Sequence, residues 1–340
     1  MDGAASNYFA EMMRIGLAGD VMLGRLVDGH VLANSAASPG YVWGNTLPVW
    51  RQMDLRMVNL ECVIATAGEP WVPKTFHFRA GPRAIDVLEA AGIHLVSLAN
   101  NHVLDFGGQA LQECLARLRQ SSIRYAGAGE TSEEAAAPTV LTGDGITVAV
   151  VALTDGEPDW EAMPDRPGVN HVRYDRAGLL APYLQRVETA LARARDAAQL
   201  VIVSVHAGPN WGPPTAPMRA VARQIIDLGA DLYWGHSNHT VQGIELYRDR
   251  AILYSCGDFV DDYAVDAVER NDLSCLFELQ VEATKVNRIL LYPVRIAGFQ
   301  VNLASSKDAR WLCARLIERM AEFATQVTAA GDLLAVEVDA

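Results

Sequence analysis

Short apolar runs alternate with longer stretches of helical period along this chain, and that alternation restricts its fold more than any other feature. The runs RIGLAG (14–19), LRMVNLE (55–61), IHLVSLA (93–99), ITVAVVAL (146–153), QLVIVSV (199–205), DLYW (231–234), VQGIELY (241–247) and AILYSC (251–256) read as strands. Helices fit PRAIDVLEAAG, GGQALQECLARLRQS, AGLLAPYLQRVETALARARDAAQ, APMRAVARQIIDLGA and DARWLCARLIERMAEFATQ, with Gly92 and Gly229 placed as C-caps. Such an order builds layered α/β architecture rather than a bundle or an all-β fold. No Gly/Ser linker divides the chain, so one sandwich-type domain is expected over residues 14–272, with 273–340 completing or extending it. Two segments, 28–50 and 154–174, are expected to be long loops that cover or line a site.

Polar residues with metal-ligand chemistry recur where the apolar runs end. Asp20 closes LAGD, Glu61 closes MVNLE, and Asn100, Asn101 and His102 follow SLA. His206 closes VSVH, and His236 and His239 fall in the turn GHSNH after DLYW. Taken singly, each has a plainer explanation: a strand-terminal Asp is more often a turn former or N-cap, and a lone His on an apolar run is more often a core residue. Taken together they carry more weight, because parallel strands bring their C-terminal ends to one edge of a sheet. Carboxylate and amide oxygens with imidazole nitrogens would then converge there. Mixed oxygen and nitrogen ligation suits one or two divalent metal ions (Mn, Fe or Zn) better than a structural thiolate site does.

Charge narrows what such ions would act on. Against 28 Lys and Arg stand 41 Asp and Glu, a net charge of -13, which repels polyanions at long range. No nucleic-acid partner is expected, and the substrate is expected to be a small molecule or short peptide-like chain. The phosphate loop G-x-x-x-x-G-K-S/T and the nucleophile elbow G-x-S-x-G do not occur. The five cysteines are odd in number and scattered, which fits a reducing, cytoplasmic location. The start, MDGAASNYFAEMMRIG, lacks the basic and apolar regions of a signal peptide, and no run is long enough to insert into a membrane.

The motifs GDVMLGR, VNLECVI, KTFHFRA, LVSLANNHVLDFG, GAG, VSVHAGPNW, GADLYWGHSNHTVQGIELY and ILYSCGDFVDDY occur in that order over residues 14–263. In them the chain resembles the CapA family of capsule or poly-γ-glutamate synthesis proteins, within the calcineurin-like metallophosphoesterase superfamily. The resemblance implies an α/β fold, a metallophosphoesterase-like β-sandwich flanked by helices in four layers, α/β/β/α. It further implies that Asp20 and His239 bind a first metal and that Glu61 bridges two. Asn101, His206 and His236 would bind the second, and His102 would be the general acid. The sequence departs from the superfamily at Met22, where the D-x-H motif has a histidine, and at Ala207, where many relatives have tryptophan. Met22 leaves the first site short of a ligand.

Two ions would activate water against a phosphoryl or carbonyl centre, with His102 exchanging protons at the leaving atom. Arg25, Lys74, His77, Arg79 and Trp211 are candidates for substrate binding; for each charge the plainer alternative is a solvated or fold-stabilising role. Trp160 is a second candidate wall, and Asp155, Glu157 and Asp159 are either amine receptors or an acidic turn. One of Asp258, Asp261 and Asp262 is expected to touch a ligand histidine. The expected function is a metal-dependent hydrolase or transferase acting on a phosphoester or γ-glutamyl-type amide. The alternative, motivated by Met22, is a non-catalytic accessory or binding protein of polyglutamate or capsule synthesis with a degraded metal site.

Overall fold

The computed structural model describes residues 12–338. The opening segment judged against signal-peptide features lies outside them as far as residue 11. β1 (Met13–Val21), β2 (Leu55–Leu60), β3 (Leu95–Ser97) and β4 (Arg124–Ala126) pair in chain order and in parallel. Helix α1 (Ala84–Ala90) joins β2 to β3, and α2 (Gly107–Gln120) joins β3 to β4. The chain then crosses to a second sheet through the hairpin of β5 (Thr139–Gly143) and β6 (Ile146–Thr154). That sheet continues with β7 (Leu200–His206), β8 (Leu232–His236), β9 (Ile244–Tyr247) and β10 (Arg250–Leu253), in the order β9-β10-β8-β7-β6-β5. Its crossover helices are α3 (Ala181–Ala197) and α4 (Ala216–Asp227). Gly92 and Gly229 adopt the left-handed conformation that ends α1 and α4.

The rest of the chain returns to the first sheet. β11 (Asp258–Val260) lies parallel to the end of β1, and β12 (Leu273–Glu282) runs antiparallel along its beginning. β13 (Lys285–Ala297), β14 (Gln300–Leu303), β15 (Thr328–Ala330) and β16 (Leu333–Glu337) extend that edge, with α5 (Ser306–Ala321) between β14 and β15. Residues from 273 onward thus supply the antiparallel half of the same sheet.

Side-chain alternation assigns the layers. In β6, Val148, Val150 and Ala152 belong to one apolar cluster while Ala149, Val151 and Leu153 belong to another. β7 divides the same way, Leu200 and Ile202 against Val201, Val203 and Val205. The first cluster also takes Ile15, Leu17, Met57, Leu95 and Phe277 from the first sheet, so it is the core between the sheets. The outer face of the first sheet is covered by α1 and α2 through Val87, Leu88, Leu111 and Leu115. The outer face of the second is covered by α3 and α4 through Val187, Leu191, Val221 and Ile225. The result is a four-layer α/β/β/α sandwich. No helix among the described residues is long and apolar enough to cross a membrane.

Close backbone approaches hold neighbouring strand ends together in both sheets. A Cβ on Gly19 would lie 1.8 Å from the carbonyl oxygen of Gly257, whose backbone accepts a hydrogen bond from the Asp20 amide at 2.9 Å. On β8 a Cβ at Gly235 would lie 2.3 Å from the Tyr254 oxygen. Both glycines stand next to candidate ligands, so the backbone can come near only because the side chain is missing.

The two expected site loops do something else. Residues 28–50 form short helical turns whose Trp43 and Trp50 are fully buried against Phe259 on the outer face of the first sheet. Residues 154–174 pack Trp160 into the same cluster and pair Gly168–Val169 with Ala128–Gly129. Neither supplies a wall to the cavity described below. Their weak periodicity reflects irregular backbone that is nonetheless anchored by large apolar side chains.

Candidate metal centre

Strand ends of both sheets bring the candidate ligands to one place. Asp20 is the second-last residue of β1 and lies beside Asn59 of β2, with Glu61 directly after β2. His206 and His236 close β7 and β8 and are register partners. The intervening turn GHSNH bends at Ser237, whose φ of 88° is uncommon for a residue with a side chain. The Ser237 hydroxyl donates to the Gly208 carbonyl at 3.1 Å, and this contact accompanies the turn that carries His239 back over the edge.

The distances show how tight the cluster is. Asp20 Oδ1 is 3.6 Å from His236 Nδ1 and 3.9 Å from His206 Nδ1, and His206 Nε2 is 3.9 Å from Glu61 Oε1. Asp20, Glu61 and His206 can each present a ligand atom within 4.8 Å of the others, as can Asp20, His239 and Asp258. Hydrogen bonds pin the surroundings. Asn59 donates to Asp20 Oδ1 at 2.7 Å, Asn100 donates to Asn59 at 3.2 Å, and Tyr263 donates to Glu61 Oε2 at 3.0 Å. His236 Nε2 pairs with Ser204 Oγ at 3.1 Å, which leaves its Nδ1 turned to Asp20.

Several buried atoms here have no hydrogen-bond partner among the described residues: Asp20 Oδ2, Asn101 Oδ1, His236 Nδ1 and Asp258 Oδ2. Burying such groups unpaired costs on the order of 1–3 kcal/mol each. A divalent cation takes all four of these atoms, three oxygens and one imidazole nitrogen, as ligands together. The donor set therefore fits a metal ion, and its mixed oxygen and nitrogen character fits Mn, Fe or Zn.

Burial sets the electrostatics. It pushes the Asp20 carboxyl up to about 7, against the hydrogen bond from Asn59 that favours the anion. Glu61 is also raised, by burial and then by the Asp20 charge. Burial drives His236 down to about 3 and lowers His206, the latter helped by neighbouring His236. The imidazoles are thus neutral and ready to ligate, while the carboxylates hold protons a metal must displace. A carboxyl raised from 3.8 to about 7 keeps its proton longer in the folded state than in the unfolded one. The metal-free protein therefore loses stability as pH rises through that window. Metal affinity is expected to move the opposite way, tightening about tenfold per pH unit for each proton released between pH 4 and 7. Calorimetric titration with Mn²⁺ at pH 5, 6 and 7 reads this directly; a flat profile would contradict it.

Above the cluster lies a cavity of about 380 Å³ whose lining includes Glu61, Asn101, His102, His206 and His239, with Phe76, Phe78, Trp211 and Tyr263 among its aromatic walls. His102 is stacked on Phe78 at 3.7 Å between ring centroids, and its Nδ1 is 2.6 Å from Asp105 Oδ2. Asp105 also receives Lys74 Nζ at 2.6 Å and the Phe78 amide at 2.6 Å. Burial outweighs the Asp105 contact and lowers His102 to about 4, so at neutral pH the ring is uncharged. With Nδ1 committed to Asp105, the atom left for a substrate is Nε2, acting first as a proton acceptor.

The expected substrate contacts divide. Arg25 and Trp211 line the cavity, but the Arg25 guanidinium is paired in bidentate fashion with Asp262. Lys74 is turned inward to Asp105, the Asn101 carbonyl and the face of Trp160. His77 Nε2 contacts the Trp71 carbonyl, and Arg79 lies over Phe106. Lys74, His77 and Arg79 are therefore not cavity residues: strong local acceptors and an aromatic face claim them first. Asp155 is likewise spent, accepting from Tyr174 and the Gly208 amide. Asp258 is the aspartate that touches a candidate ligand, 3.0 Å from His239 Nδ1.

Three residues with roles here were not singled out from sequence. Asn59 carried a signal, an amide inside an otherwise apolar run that must find a partner on burial. Asp105 carried a weaker one, its spacing of three from His102. Tyr263 carried none.

With this geometry in place, similarity to known proteins becomes informative. Residues 14–263 match the family model described as bacterial capsule synthesis protein PGA_cap. A probable polyglutamine synthesis accessory protein of Mycobacterium tuberculosis is 34% identical, over 89% of this chain and 90% of its own length. The capsule biosynthesis protein CapA of Bacillus anthracis is 26% identical, over 74% of this chain and 60% of its own length. Among solved structures, a hypothetical protein from Thermus thermophilus superposes with a TM-score of 0.50 at 17% identity, covering 83% of this chain and 98% of that one, a likeness of fold alone.

Proposed function

The chain belongs to the bacterial capsule synthesis protein family, and from that premise we propose that it is a metal-dependent hydrolase or transferase acting on a phosphoester or γ-glutamyl-type amide. The observation that carries this is the set of bare buried ligand atoms on Asp20, Asn101 and His236, gathered with Glu61 and His206 beneath a cavity that also holds His102. Asp20, Glu61, Asn101, His206, His236 and His239 would hold one or two divalent ions. A bound ion supplies Lewis acidity toward a phosphoryl or carbonyl oxygen and acidifies water at neutral pH.

The protein's own groups do the rest. Neutral His102 accepts at Nε2 the proton that the attacking water gives up, Asp105 stabilises the resulting imidazolium through Nδ1, and the ring then passes that proton to the leaving oxygen or nitrogen as its bond to the phosphoryl or carbonyl centre breaks. Lys74 pairs with the other oxygen of Asp105, Oδ1, at 2.6 Å and so fixes its position. Phe76, Phe78, Trp211 and Tyr263 give the cavity an aromatic lining.

The test uses bis(p-nitrophenyl) phosphate and γ-glutamyl-p-nitroanilide with protein loaded with Mn²⁺, Fe²⁺ or Zn²⁺. Turnover of either is expected, and His102→Ala is expected to lower it by ~10²- to 10⁴-fold with metal content unchanged. Metal binding with no turnover of any substrate offered would favour the second reading, an accessory binding protein. That reading draws support from the name of the M. tuberculosis relative, an accessory protein, and from Met22, fully buried with its sulfur against the Gly24 amide at 3.1 Å.

A further inference from the structure

Met22 offers the first metal position no ligand, yet the opposite strand places a carboxylate there. β11 pairs with β1 so that Asp258 is the direct register partner of Asp20. Asp258 is fully buried, and both it and Asp20 keep one oxygen, Oδ2, without a partner among the described residues. Asp20, Asp258 and His239 can each present a ligand atom within 4.8 Å of the others. Two carboxylates side by side in a buried site repel unless a proton or a cation stands between them.

We propose that Asp258 is a direct ligand of the first metal ion, joining Asp20 and His239. The proposal rests on the metal-centre reading above and adds to it the residue that makes the first position complete. The contact between His239 Nδ1 and Asp258 Oδ1, 3.0 Å long, has the separation of two donors around one ion. Bonds of about 2.1 Å at right angles set neighbouring donors about 3 Å apart. With Glu61 shared, this position has three carboxylates and one imidazole, while the other has two imidazoles, an amide oxygen and the shared carboxylate. The oxygen-rich position takes a hard ion such as Mn²⁺ or Fe²⁺, and the nitrogen-rich one takes Zn²⁺ more readily.

The discriminating variant is Asp258→Asn, which preserves shape and can still accept a hydrogen bond from His239 Nδ1. Metal-free wild type, D258N and His206→Ala are titrated with Mn²⁺ by calorimetry, and bound metal is counted after dialysis. Melting curves confirm that each variant is folded, and Asp258→Ser serves as a smaller substitute should D258N unfold. Two equivalents are expected for wild type, with D258N losing one or weakening it more than about 100-fold, beyond what loss of an orienting contact costs. D258N retaining both equivalents with affinity within tenfold of wild type overturns the proposal and leaves Asp258 as a residue that merely orients His239. One equivalent in wild type, lost in H206A and untouched in D258N, overturns it too, while the metal-centre reading survives. No metal in wild type would end both.

Discussion

Glu61→Ala is expected to yield folded protein that no longer retains divalent metal through dialysis. Glu61 follows β2 directly, takes a hydrogen bond from Tyr263 at 3.0 Å and faces His206 Nε2 at 3.9 Å. It belongs with Asp20 and His206 to a group whose ligand atoms lie within 4.8 Å of one another, and it also lines the cavity. As the ligand proposed to be shared, Glu61 would contact both ions of the proposed centre. Residues that only orient ligands typically cost 10–100-fold in affinity, so loss of a shared ligand should exceed about 100-fold. Elemental analysis after dialysis, with surface Glu133→Ala as control, gives the answer. Equal metal in the Glu61 variant and the control would remove the basis for the centre. Stability of the metal-free form should change little, because burial disfavours this carboxylate's charge to begin with.

The second large effect is structural. Gly19→Ala is expected to abolish folding or to destabilise the protein by more than about 4 kcal/mol, among the larger effects single substitutions produce. The new methyl would stand 1.8 Å from one carbonyl oxygen and 2.8 Å from that of Cys256, both rigid backbone. Relief requires β1 to part from the segment before β11, which breaks the bond from the Asp20 amide to Gly257. Gly29→Ala is the matched control: nothing lies within 4 Å of its Cβ position, it sits in a short helical turn, and its effect should stay within about 1 kcal/mol. Soluble yield and urea midpoints of the two variants separate a steric cause from a general intolerance of change. A Gly19→Ala protein as stable as wild type would show that the two strands are free to move apart.

Much of this architecture could be read from residue order because buried parallel strands leave continuous apolar runs. ITVAVVAL and QLVIVSV mark β6 and β7 to within one or two residues. The candidate ligands stood out for the same reason: a polar residue at the end of such a run is conspicuous, as Asp20, His206 and His236 are. Side-chain destination was less legible. Lys74, His77 and Arg79 sit close in sequence to one another, yet each turns to a partner that no local pattern reveals: Asp105, the Trp71 carbonyl and the Phe106 ring. The state of His102 was hidden too, since its depressed basicity comes from burial beneath Phe78 and not from its neighbours in the chain. Segment 28–50 misled because its two fully buried tryptophans stand among Gly, Pro, Asn and Ser residues that read as an open loop.

Asp20 and Glu61 hang from one sheet, and His206, His236 and His239 from the other. An ion gripped by both would work as a keystone across the rim where the two sheets meet. Folding and ligation would then draw on a single free energy, with an ion at a thousand times its dissociation constant adding about 4 kcal/mol to the native state. A cell short of that metal would lose the protein's persistence along with whatever activity it has.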